Sequence, residues 1–139
     1  MPEKTPVSMN GEPMTASRSH DIPKRDLQFD FSQVDLKRWH PNGAQNNHYF
    51  NVQSLLFPQG ERFGMRSVRY FRDQCREPVL QKQVAGFISQ EAMHGREHES
   101  YNLALGKCGY RVEKMERAVS RMLWLAEKTT PPKGRLAMT

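Results

Sequence analysis

A chain of 139 residues with 21 Lys plus Arg against 15 Asp plus Glu, a net charge of +6 and 37% apolar residues is bounded to one modest soluble domain with tails, not a multidomain enzyme. No run approaches the ~18 to 20 apolar residues of a membrane span, and no apolar segment of signal-peptide type follows Glu3 and Lys4, so the expected compartment is the cytosol. Two cysteines, Cys75 and Cys108, without C-x-x-C spacing exclude a disulfide scaffold, and mixed charges at 26% of residues argue for neither a nucleic-acid nor a membrane partner.

Residues 1–45 carry five of the nine prolines and no sustained hydrophobic period, which predicts an irregular arm. Within it, Leu27 to Phe31 alternates like a strand but has no partner strand. Docking of its aromatics, and of Trp39, onto a helical body is expected instead. Residues 46–139 read as a helical domain. A first helical stretch is expected from Asn46 to Cys75, a second from Pro78 to Leu105 and a third from Val112 to Lys128. Pro58 removes one hydrogen bond inside the first stretch and predicts a kink or a fresh start near Phe57. Gly106 and Gly109 bracket the end of the second stretch, and Pro131 with Pro132 closes the third. The last residues, ending Leu-Ala-Met-Thr, read either as a frayed tail or as the beginning of another helix in a chain that continues.

The second helix carries the chemistry. Val84, Phe87, Glu91, His94, His98, Tyr101 and Leu105 follow steps of three and four, one helix face with a polar middle. Burying a carboxylate and two imidazoles without compensation is costly, so something must satisfy them. The first stretch repeats the anomaly with Glu61, the lone ionisable group on a face made by Ser54, Phe57, Gly64, Val68 and Phe71. Glu61 precedes Cys75 by 14 residues and Glu91 follows Pro78 by 13, so an antiparallel pair sets both carboxylates at one level, roughly 20 Å from the turn. Glu91-Ala-Met-His94 is a Glu-x-x-His element of the kind that, with a facing Glu, builds dinuclear carboxylate sites. His94-Gly-Arg-Glu97-His98 also reads as H-x-x-E-H, in which two His hold one zinc and Glu97 serves as general base. A metal-free polar network is the third reading. Met115, Val119, Met122 and Ala126 are expected to pack, His48 and Asn51 to lie on the surface, and Arg62, Arg66, Arg69 and Arg76 to form a solvated strip rather than an anion site.

The run His48 to Phe63, containing Phe57-Pro-Gln-Gly-Glu61, and the run Ile88 to His98, with Tyr101-Asn102, resemble the bacterial family of predicted metal-dependent hydrolases over roughly residues 34–139. The resemblance implies an all-α, ferritin-like antiparallel bundle with a metal site at Glu61, Glu91 and His94, and with His98 as a ligand or as a group that positions one. It implies a divalent metal, iron, manganese or zinc, in a mononuclear or dinuclear centre, and a small-molecule substrate. Hydrolysis is the first expectation, di-iron oxidase or oxygenase chemistry the second, and a non-catalytic helical interaction module the third. Only half of a di-iron ligand set is visible, so a homodimer or a C-terminal half beyond Thr139 is expected to complete the centre.

Overall fold

The computed structural model describes residues 25–139, and expectations that fall on residues 1–24 lie outside them. Among the described residues the chain is all-α: α1 (Ala44–Ser54), α2 (Phe57–Arg72), α3 (Pro78–Lys107), α4 (Val112–Thr129) and α5 (Pro132–Ala137). The stretch expected as one helix from Asn46 to Cys75 is therefore two, ending at Arg72, and of the two expectations for Pro58 the fresh start is the one realised. Leu55 N–H bonds Val52 O and Leu56 N–H bonds Gln53 O, which tightens the end of α1. Pro58 then sits in the first turn of α2, where its missing N–H is not needed. Pro78 and Pro132 occupy the same place in α3 and α5. At the other end of α3, Gly109 takes φ +91°, a backbone that side-chain-bearing residues rarely adopt, and turns the chain into α4.

α2 packs chiefly on α3, and the partners run in opposite order: Phe57 stacks on His98, Glu61 meets His94, and Ser54 just before α2 bonds Asn102. The pair is antiparallel, as the short connection requires. α4 and α5 cover other sides of α2. The arginine strip bridges these helices, with Arg66 Nε 2.7 Å from Glu127 Oε1 on α4 and Arg62 paired with Glu99 on α3. Both pairs are half exposed, so they fix helix register more than they stabilise the fold.

Leu36, Leu55 and Leu105 form the core cluster, flanked by Tyr101, Ala104 and Met115. Leu36 belongs to the arm, whose described part, residues 25–43, has no helix or strand. The arm docks by its aromatics: Phe31 meets Tyr101 edge-on, with centroids 5.0 Å apart, and Trp39 Nε1 donates to Asn51 Oδ1. Asn51 is buried rather than superficial, and all four of its hydrogen-bonding valences are used. Its Nδ2 donates to Leu36 O and to the Tyr110 hydroxyl, and its Oδ1 accepts from Trp39 and from the Tyr101 hydroxyl. One turn earlier, Asn47 donates to Leu36 O and accepts from the Trp39 and His40 N–H groups. Met122, expected to pack, is 62% exposed, whereas Val119 is buried as expected. Both cysteines are free thiols, and no described helix is long and apolar enough to cross a membrane.

Candidate metal centre

α2 places Glu61 and α3 places His94 and His98 so that one donor atom from each lies within 4.8 Å of the others. The helical period explains the pair on α3: His94 and His98 are one turn apart on the same face. Antiparallel packing explains Glu61, which meets that face from α2 at the level of His94. Gly95 gives the carboxylate room, since a Cβ there would lie 2.6 Å from Glu61 Oε2.

Hydrogen bonds behind the cluster fix the state of His98. Asn102 Nδ2 donates to Ser54 O, so its Oδ1 is the acceptor for the Ser54 hydroxyl. That hydroxyl has one proton and has now spent it. Toward His98 Nδ1, 2.8 Å away, Ser54 Oγ acts as acceptor, and Nδ1 carries the imidazole proton. His98 Nε2 is left with its lone pair directed at His94 Nε2, 3.1 Å away. If His94 donates there from Nε2, its own Nδ1 lone pair faces Glu61 Oε1 at 2.8 Å. Both Glu61 oxygens are buried and make no hydrogen bond within the protein, although Oε1 lies 2.8 Å from His94 Nδ1. Glu61, His94 and His98 thus bring one donor atom each within 4.8 Å of one another, in a chain of contacts that a cation would replace.

The electrostatics agree with that geometry. Burial, and then the Glu91 carboxylate, push Glu61 up to about 7. Burial, and then His94, push His98 down to about 4, so it is neutral at physiological pH. Burial thus favours the uncharged form of both groups, and a cation between them would favour the ionised form of Glu61 and the neutral form of His98. The donor set, two imidazoles and one carboxylate, fits zinc or non-haem iron. His94 is the solvent-facing member, with its side chain 56% exposed against 6% for Glu61, so the cluster is open on one side.

Glu91 is not among the three converging groups. It lies one turn before His94 and borders, with Glu61, a separate cavity of about 400 Å³ between α2 and α3. Glu97 points to the arm: its Oε2 accepts from Phe29 N–H at 2.9 Å and its Oε1 from Arg96 at 2.8 Å. The Phe29 N–H, and then Arg96, hold its carboxyl below the usual carboxylate range. Arg96 also reaches Asp26 Oδ1 and Leu27 O, so the Arg96–Glu97 pair fastens residues 26–29 to α3. From the sequence, Ser54 stood on the Glu61 face without a role, and Asn102 read either as orienting ligands or, more readily, as capping the stripe on α3. Ser54 also continues the Asn47–Asn51 face of α1, which looks like a surface stripe until its partners are known.

Beside the imidazoles, the arm and the helices line an open cavity of about 450 Å³. The family described as predicted metal-dependent hydrolase matches residues 23–139. No curated protein and no solved structure matches the chain.

Proposed function

The chain belongs to the predicted metal-dependent hydrolase family, and from that premise we propose that Glu61, His94 and His98 hold a divalent metal ion and that the chain hydrolyses a small molecule seated beside it. When bound, the cation supplies Lewis-acid polarisation of a substrate oxygen and a lowered pKa for a water molecule. The protein's own part is orientation and charge. Ser54, held by Asn102, keeps the His98 proton on Nδ1, so the lone pair that a metal would take is on Nε2, on the His94 side. Glu61 brings a negative charge whose ionisation the cation offsets. Glu97, bound to the arm and weakly basic, is a fastening group in this reading rather than the general base, which shifts the balance away from the H-x-x-E-H mechanism.

The observation that carries the proposal is the buried, unpartnered Glu61 carboxylate facing two imidazoles. Elemental analysis of the purified chain tests it. Zinc, manganese or iron near one equivalent, or two if Glu91 joins a dinuclear form, is expected, with loss in Glu61→Gln and His94→Ala. No stoichiometric metal in the wild type would leave a polar network and a non-catalytic module as the better account.

The donor set supports a second reading, because two His and one carboxylate also hold iron in oxygen-activating sites. Iron as the native metal together with oxygen consumption on reduction would favour it, and oxygen-independent hydrolysis with zinc or manganese would reject it. A second copy or further helices completing a larger centre finds support in the exposure of Met122, Trp124 and Leu125 on α4. Sedimentation equilibrium distinguishes a dimer from a monomer.

A further inference from the structure

The cavity beside His94 and His98 differs from the usual mixed polar pocket in what its walls have left to offer. Phe31, Val34, Leu36, Trp39, Phe50 and Phe57 supply carbon. The two aromatic residues of the lining that carry polar tips, Trp39 and Tyr101, have both spent them on Asn51 and present only their rings to the cavity. The Ser54 hydroxyl is committed to Asn102, and Glu97 to Phe29 and Arg96. Among the described residues no Lys or Arg lines the cavity, so a phosphate, nucleotide or other anionic body would be held there without a cationic partner from them. What remains polar is the imidazole edge at one end and the Gln53 amide. The volume, about 450 Å³, is in the range of pockets that enclose small organic ligands.

We propose that this cavity binds the uncharged hydrocarbon body of the substrate, an aliphatic or aryl group, with the reactive group at the His94–His98 end. The inference rests on the hydrolase reading for its placement of the reactive group, but the recognition itself belongs to the cavity walls. The arm is part of the site: Phe29, Phe31 and Val34 form one wall, so substrate selection depends on residues far from the metal donors in sequence.

The test separates the two claims by measuring binding without turnover. Linear 1-alkanols from butanol to decanol are titrated against the chain while the fluorescence of Trp39 is followed in a Trp124→Phe background, since the sequence holds two tryptophans. Affinity is expected to rise about fourfold per added methylene, then to level off when the cavity is filled. Val34→Asp and Phe50→Asp, both at positions 42% exposed and so tolerant of a polar group, are expected to flatten the series at unchanged helix content and metal content. A series that is flat in the wild type, or unchanged in both variants, overturns the inference. Because metal is assayed on the same samples, stoichiometric metal with a flat series rejects the apolar substrate and leaves the metal reading intact. A steep series in a chain that binds no metal upholds the cavity as an apolar ligand site and rejects the hydrolase reading.

Discussion

Ser54 decides the protonation state of a ring it touches at one atom. Its hydroxyl can donate once, Asn102 Oδ1 takes that proton, and His98 must then donate from Nδ1. Removing the hydroxyl frees both tautomers and the ring's rotation, so Ser54→Ala is expected to weaken metal binding by about 10- to 100-fold. Competition titration with a chromophoric chelator measures it, and Ser54→Thr, which keeps the hydroxyl, should recover most of the loss. Glu61 and His98 pull the metal-free protein in opposite directions with pH. Glu61 holds its proton up to about 7 in the folded chain, so stability falls as pH rises from the ordinary carboxylate range toward 7. His98 is depressed to about 4, so its contribution is complete above the ordinary imidazole value near 6.5 and is lost as pH falls toward 4. In Glu61→Gln the first slope disappears. With chelator present, the variant's stability relative to wild type should improve between pH 5 and pH 8 by on the order of 2 kcal/mol, read from denaturant unfolding at each pH. An unchanged difference would mean that Glu61 ionises freely in the metal-free fold.

Helix α3 was readable in the sequence, and α1 was not, for a physical reason. On α3 the ionisable groups interrupt an apolar period, and both the period and the interruption are local, so Glu91, His94 and His98 stand out without knowledge of any partner. The break before α2 was half legible: Pro58 marked the place, but a kink and a fresh start stayed open until the turn at Leu55 and Leu56 closed α1. On α1 the buried face is polar: Asn47, Asn51 and Ser54 are satisfied by Leu36 O, by the Trp39 N–H groups and by Asn102, which lie in other segments. A stripe of amides reads as surface until those distant partners are in place. The arm's attachment was half readable. Its aromatics signalled docking, but the fastening of residues 26–29 by Arg96 and Glu97 depends on a meeting across about 70 residues. That fastening is exposed and yields a prediction of its own. Arg96→Ala should release the arm's first described residues and raise amide exchange at Phe29 several-fold, by about 5- to 10-fold. Metal content should stay unchanged. Loss of metal in Arg96→Ala would instead assign Glu97 a direct part in the centre.

Five buried hydrophobic residues, Leu36, Leu55, Phe63, Leu105 and Val119, make up the core among the described residues, while Leu103, Trp124 and Leu125 are more than half exposed. So small a core leaves little margin over the conformational entropy of ordering the chain. The site narrows that margin as pH rises, because ionising Glu61 between α2 and α3, the most extensively packed pair of helices, is disfavoured by burial. A cation bridging Glu61 to His94 and His98 would act at that junction, tying α2 to α3 and, through Ser54 and Asn102, tying in the end of α1. Metal binding should therefore raise the stability of the entire fold and not of the site alone. A ligand present at 100 times its Kd and bound only by the folded state adds about 2.7 kcal/mol. For a domain of this size that corresponds to a rise in Tm of roughly 10 °C. Thermal unfolding followed by circular dichroism, with added zinc, manganese or iron and then with chelator, is expected to show a rise and its reversal, and Glu61→Gln to show neither. If metal binds stoichiometrically without moving Tm, the ion is held as well by the unfolded chain as by the folded one, and the convergence of Glu61, His94 and His98 is not what binds it.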